Sequence, residues 1–261
     1  MAIPIVLMTD FGLNDWYVGA MKGVIKSIAP ETDIIDLCHA LPAGDINAAA
    51  MNILFSYSYF PAGSIFCCVV DPGVGTERRA LVATDGFYYF TAPDNGLLGL
   101  VAERSKHWQA YQIENKKYML PEQSYTFHGR DIFAPVAAHL ASGIALEKFG
   151  AVLEDFITCI LPEPRRADNR IVGEVIYVDR FGNLMTNISA EKTLAGLDCQ
   201  NLRMNMGKAV IKGIKKTFGD VKEGEAVMYI GSSGFLEIGI NGRHAARMWQ
   251  ITPGTTIILE C

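Results

Sequence analysis

The stretch "SIFCCVVD", Ser64 to Asp71, runs six apolar residues together and closes on a carboxylate. A half-exposed strand would alternate; so short and continuous an apolar run reads as a strand covered on both faces, as in a parallel sheet. The chain before it has the matching grammar. "DINAAAMNILFSYSYF" from Asp45 reads as a helix with Asp45 as its N-cap, and "TDIIDLC" from Thr32 as a strand. Earlier still, "DWYVGAMKGVIKSIA" spaces Val18, Met21, Val24, Ile25 and Ile28 at helical intervals, behind a first strand in "IPIVLMTD". The resulting βαβαβ order predicts an α/β domain with a mostly parallel central sheet. Ligands of such sheets gather at the carboxyl ends of the strands, and Asp10 and Asp71 stand at two of them. "FHGRDIFAPVAAHLASG" continues the pattern and puts His128 just ahead of another helix.

Beyond "LPEPRRADN", rich in proline and charge, the grammar changes. "RIVGEVIYVDRFGNLMTNIS", "KAVIKGI", "EAVMYIGSSGFLEIGING" and "GTTIILE" are β-rich runs parted by turn residues. They predict a smaller all-β, barrel-like C-terminal domain. The expected division is residues 1–166 and 167–261.

Composition narrows the function. Of 261 residues, 50% are hydrophobic and 20% charged, enough for a substantial core. The formal charge of -5, with basic residues scattered, lacks the footprint of a nucleic-acid binder. "MAIPIVLMTDFG" has no basic leader and too short an apolar run for a signal peptide or membrane span, so no membrane is expected and a cytoplasmic location is. The six cysteines form no C-x-x-C pair and most sit beside apolar residues, which suits reduced, packed thiols. No metal-ligand spacing appears, so neither a metal nor another cofactor is expected. The phosphate-binding, dinucleotide, zinc-protease and serine-elbow motifs are all missing.

The candidate site residues lie in short polar stretches. In "VVDPGVGTERR", Asp71 precedes a Pro-Gly turn and Arg78 follows close enough for the loop to fold back and pair the two. A turn aspartate with solvated neighbours would look the same. His128, between an aromatic residue and a glycine, reads as either a packed histidine or a catalyst. His39, after a strand, is a supporting candidate, while His107, His139 and His244 carry no local signal. Asp10 in "MTDFG" suits the two hydroxyls of a ribose, or simply anchors a loop. Asn95 lies on a D-N-G turn opening a helix. In "VDRFGNLMTN", Asp179, Phe181 and Asn183 share one hairpin, whose aromatic and amide could stack on and hydrogen-bond a flat base. Ser232 and Ser233 sit at the tip of another hairpin.

Taken in order over nearly the whole chain, "MTDFG", "VVDPGVGTERR", "APDNGLL", "FHGRDIFAP" and "DRFGNLMTN" resemble the S-adenosylmethionine (SAM) hydroxide adenosyltransferase family, SAM hydrolases related to the SAM-dependent fluorinase and chlorinase. The resemblance implies hydrolysis of SAM to adenosine and L-methionine, with no cofactor. It also implies a homotrimer with sites at subunit interfaces. By motif, Asp71, Arg78 and His128 surround the attacking water, with Arg78 preferred over Arg79. The halogenating relatives carry other residues at the aspartate and histidine positions, so water is the expected nucleophile. Asp10 takes the ribose and Asn95 joins the substrate-binding set. Phe181 and Asn183 fall at adenine contacts, Asp179 and Ser232 at methionine contacts. Two positions depart from the fluorinase pattern: Gly44 replaces a tryptophan near the halide site, and Ser233 an arginine beside the methionine. The competing readings are a metal-dependent nucleotidase or phosphatase using Asp10, Asp71 and His128 as ligands, and a non-catalytic adenosyl-binding protein.

Overall fold

The computed structural model describes residues 3–206 and 209–261. Met1, Ala2 and Lys208, which open two of the stretches read above, lie outside the described residues. Contacts divide the chain into one unit ending at Ile160 and a second spanning Leu161–Cys261. The boundary expected near Ala167 falls within a short strand that pairs inside the second unit.

The first unit opens with β1 (Ile5–Thr9), α1 (Tyr17–Ile28), β2 (Ile34–Cys38), α2 (Ile46–Ser56) and β3 (Ile65–Val69). These are the βαβαβ elements read from the periodicity. Val18, Met21 and Ile25 face inward from α1, and Asp45 caps α2 by accepting from the Ala48 N–H. Three further strands follow, β4 (Ala80–Thr84), β5 (Tyr89–Pro93) and β6 (Gln109–Gln112), with α3 (Gly99–Arg104) between the last two. The strand order is β2-β1-β3-β5-β4-β6. β1, β2, β3 and β5 run parallel, while β4 is antiparallel to both its neighbours. The mostly parallel sheet is therefore observed, with one reversed strand.

β1 and β3 are buried along their whole lengths, which is why neither alternates. α1 and α4 (Ala134–Ala141) share one core with them, in which Phe133 and Phe149 are fully buried. Burying each such side chain contributes on the order of 1.5–3 kcal/mol, against the entropy of ordering it. Cys67 and Cys68 belong to this interior, where burial pushes the Cys67 thiol up to about 12.

The second unit is a nine-stranded, barrel-like sheet. Its strands are β7 (Arg165–Ala167), β8 (Arg170–Val178), β9 (Leu184–Ser189), β10 (Arg203–Met206), β11 (Ala209–Lys212), β12 (Ile214–Lys215), β13 (Ala226–Ile230), β14 (Phe235–Ile240) and β15 (Thr256–Glu260). They run in the order β11-β10-β15-β8-β9-β14-β13-β12, with β7 paired to β8. Alternate residues point inside: Ile171 and Val175, Leu236 and Ile238, Ile257 and Leu259. The single α-helix described here, α5 (Ala245–Trp249), has five residues, consistent with the absence of a long helical period in this half. No helix among the described residues is long and apolar enough to cross a membrane.

Candidate active site

β3 ends at Val69 and β4 begins at Ala80, so the intervening loop leaves the carboxyl edge of the sheet and returns to it. Its start is a tight turn, with the Val74 N–H on the Asp71 carbonyl and the Thr76 N–H on the Gly73 carbonyl. Gly75 has φ +78°, and a Cβ there would lie 2.3 Å from the Tyr125 carbonyl oxygen, so only glycine lets the loop approach that neighbour. The fold-back expected from the sequence is present. Arg78 Nε donates to Asp71 Oδ1 at 2.9 Å and Oδ2 at 3.0 Å, and Arg78 Nη2 donates to Oδ2 as well. The Asp71 side chain is 5% exposed and that of Arg78 10%, so the pair is largely withdrawn from solvent.

Arg78 also reaches His128, fifty residues on, through a 2.8 Å contact between Nη2 and Nδ1. A guanidinium has only donors, so His128 Nδ1 is the acceptor and the neutral ring carries its proton on Nε2. Burial, and then the Arg78 charge, lower the His128 pKa below the ordinary imidazole value, outweighing the opposing pull of Asp71 and Asp131. His128 is aimed by a π-helical turn, Gly129–Phe133, that leads into α4. Phe133 lies under the Arg78 guanidinium at 5.3 Å. Asp131 is fully buried and accepts from Arg130 and from both the N–H and hydroxyl of Ser124, which tie the preceding loop down.

Asp10 follows β1. Its Oδ2 accepts from the Gly44 N–H at 2.7 Å, and among the described residues nothing donates to its Oδ1. Gly44 has φ +72°, and a Cβ there would lie 3.6 Å from Pro72 Cβ, so the Asp10 and Asp71 loops approach each other at this glycine. Behind Asp10, His39 bridges Thr9 Oγ1 (2.8 Å) and Asp36 Oδ1 (3.0 Å), a supporting role for a buried histidine. Phe11 and Phe127, the immediate neighbours of Asp10 and His128, line a cavity of about 370 Å³ with Trp16, Tyr17 and Arg130. Asn95 reaches back to the Val70 carbonyl at 2.9 Å. Arg79, adjacent to Arg78, turns elsewhere, to Asp94 and Asp155.

The arrangement bears on metal chemistry through its donors. The Asp71 carboxylate and His128 Nδ1 both engage the Arg78 cation. Among the described residues, no group of three or more His, Cys, Asp or Glu side chains is placed to hold a metal ion.

In the second unit the hairpin between β8 and β9 draws Asp179 and Asn183 together. Asp179 accepts from the Asn183 backbone and from its side-chain amide, both at 2.8 Å, and among the described residues nothing donates to the amide oxygen. Phe181, 77% exposed, and Asn183 line a cavity of about 550 Å³ with Phe218, Ile240, Asn241, Gly242, Arg243 and His244. Two glycines make this possible. A Cβ on Gly182 would strike the His244 ring, and one on Gly239 would strike both Asn183 Oδ1 and the Phe218 ring. Phe218 and His244 were not signalled in the sequence; for Phe218 the only local cue is the Thr217–Asp220 capping box that builds its short turn. Ser232 and Ser233 sit at the tip between β13 and β14, Ser232 exposed and the Ser233 hydroxyl 3.9 Å from Met185 Sδ. Nearby, Glu237 accepts from the Tyr229 hydroxyl at 2.7 Å. Burial raises the Glu237 pKa despite that hydrogen bond, and the Asp179 charge adds to the rise.

Residues 5–150 match the SAM hydroxide adenosyltransferase N-terminal domain, and residues 173–258 its C-terminal domain. The (R)-S-adenosyl-L-methionine hydrolase of Salinispora tropica is 38% identical over 94% of this chain and 93% of its own. The hydrolase of the same name from Thermus thermophilus is 38% identical over 98% of this chain and 99% of its own. The solved structure of an uncharacterized conserved protein from Thermotoga maritima superposes with a TM-score of 0.91 at 38% identity, covering 98% of this chain and all of that one.

Proposed function

This chain belongs to the SAM hydroxide adenosyltransferase family and hydrolyses SAM, and from that premise we propose that Asp71, Arg78 and His128 activate the attacking water. The observation that carries the assignment is Arg78 donating at once to Asp71 and to His128. SAM needs little help at sulfur, because the sulfonium departs as a neutral thioether. Water oxygen bonds to the ribose C5', the C5'–S bond breaks with its electrons passing to sulfur, and the water gives up a proton. The products are adenosine and L-methionine.

The chain's task is then alignment and proton removal. With Nδ1 engaged by Arg78 and Nε2 protonated, neutral His128 has no site left to take a proton, so it donates to the nucleophile and orients it. Asp71 is the acceptor, held by Arg78. The guanidinium favours hydroxide character in a site largely closed to solvent. Holding oxygen and C5' in line supplies part of the barrier reduction, up to roughly 7–11 kcal/mol in the best intramolecular cases.

Asp10, with Oδ1 unengaged, receives the ribose hydroxyls. Phe181 and Asn183 take the adenine, with Phe218 as a second aromatic wall. Asp179 and Ser232 meet the methionine portion. A cytoplasmic homotrimer completes the proposal, and sedimentation of the purified protein tests its size. The chemistry is tested by incubating chelator-treated protein with SAM in ¹⁸O-water. Equal release of adenosine and methionine, with the label in the adenosine 5'-hydroxyl, is expected. SAM binding with neither product released would leave only an adenosyl-binding protein, and activity lost to chelator would favour the nucleotidase type of site.

A further inference from the structure

We infer that Asp94 and Asn95 clamp the two ends of the loop bearing Asp71 and Arg78, and that Asn95 is a positioning residue rather than a substrate contact. The inference rests on the proposed role of Asp71. Sheet topology supplies the reason. β5 lies between β3 and β4, parallel to one and antiparallel to the other. Its carboxyl end therefore emerges beside both the point where the loop leaves β3 and the point where it enters β4. Asp94 and Asn95 are the first two residues past that end.

Each takes one side of the loop. Asn95 Nδ2 donates to the carbonyl of Val70, the residue before Asp71, while Asn95 Oδ1 accepts from the Leu97 N–H at 3.2 Å. Both ends of the amide are thus committed within the chain. Asp94 takes Arg79, the residue after Arg78. Its N–H donates to the Arg79 carbonyl at 2.9 Å and its Oδ2 accepts from Arg79 Nε at 2.8 Å, while Oδ1 accepts from the Ile157 N–H. Asp94 is 2% exposed and Val70 fully buried, so one partner on each side of the clamp is withdrawn from solvent. Rotating the Val70 peptide would swing the Asp71 carboxylate away from Arg78, and a displacement of about 1 Å at a reacting group can cost on the order of a hundredfold in rate.

The test is Asn95→Asp, which keeps an acceptor for Leu97 and places an acceptor against the Val70 carbonyl. The expected result is a fall in kcat of roughly 10- to 100-fold with KM and the SAM dissociation constant within about twofold of wild type. In an Asp71→Ala background, Asn95→Asp should leave the residual rate unchanged. Arg79→Lys, at the more exposed end of the clamp, gives an independent variant if Asn95→Asp does not fold, and should lower kcat in the same sense. Unchanged kcat in these variants, a weakened SAM dissociation constant that accounts for the loss, or a further loss on top of Asp71→Ala would overturn the clamp. Full activity of Asp71→Ala alone would instead remove the reading on which the clamp rests.

Discussion

The two candidate regions are built in opposite ways. Around Asp71 the polar groups are largely withdrawn from solvent and spend hydrogen bonds on one another: carboxylate on guanidinium, guanidinium on imidazole, backbone carbonyl on amide. Around Phe181 the cavity is open and aromatic, with the Asn183 amide nitrogen tied to Asp179 and its oxygen left over. The first arrangement suits a reaction centre, where groups must already stand in position before charge develops. The second suits recognition of a flat polar ring, where stacking area and one or two directed hydrogen bonds set affinity. Rate should therefore be lost at one region and affinity at the other.

The largest separation is expected at Asp71. Replacing it with alanine should lower kcat by about 10²- to 10⁴-fold, the usual contribution of a positioned proton acceptor, while SAM still binds. Stopped assays alongside equilibrium binding decide it, and a variant that loses binding instead would dissolve the contrast. The next effect is on pH dependence. Because His128 is held below the ordinary imidazole value of about 6.5, kcat should stay level as pH falls through that value and decline only below it. Protonation then converts Nδ1 from acceptor to donor and breaks the contact with Arg78. The same sign applies to stability: below about pH 6.5 the unfolded chain takes up a proton that the native site resists, so stability falls with pH until the native imidazole titrates. A limb of the kcat profile above the ordinary value that disappears in His128→Asn would assign the imidazole a charged role.

At the recognition cavity Phe181→Ala should weaken SAM binding by about 1–3 kcal/mol, the usual worth of an aromatic ring stacked on a base, with kcat little altered. Calorimetric titration measures it. The smallest effect is at Glu237. Its raised pKa means that the native carboxyl ionises with more difficulty than the unfolded one, so the cost appears as pH rises through the native value. Glu237→Gln keeps an acceptor for Tyr229 and should stabilise the chain at pH 8 by less than about 1 kcal/mol, after screening by the solvent that reaches this side chain. The gain should vanish near pH 4, where the wild-type carboxyl is protonated in both states. Thermal melts at the two pH values test this.

Much of the first unit was legible because α1 carries a helical period, α2 a capping aspartate ahead of a long apolar segment, and β1, β2 and β3 short apolar runs. β4, β5 and β6 were not: no helical segment parts β4 from β5, "QAYQ" carries no apolar run, and the direction of each strand is set by the sheet. The barrel was legible as short β-rich runs parted by turn residues, but its strand order was not. The Asp71 and Arg78 contact followed from their spacing on a glycine-bearing loop. That His128 joins them across fifty residues is a product of tertiary packing, and no local spacing encodes it; only the resemblance of the whole set of motifs pointed there. Asp94 was overlooked because a buried aspartate and a turn aspartate look alike in sequence. Phe218 and His244 escaped for a related reason: their relevance depends on the missing side chains of Gly239 and Gly182.

Between His128 and α4 the backbone is wound wider than an α-helix. Tightening Gly129–Phe133 to ordinary α geometry at unchanged length, while α4 kept its face in the core, would rotate everything ahead of it by roughly a quarter turn. The imidazole would leave the guanidinium although no functional residue had been replaced. The winding of this segment is thus functional information in its own right, and a chain that kept every polar residue but wound this turn as an ordinary α-helix would keep its fold and fall silent.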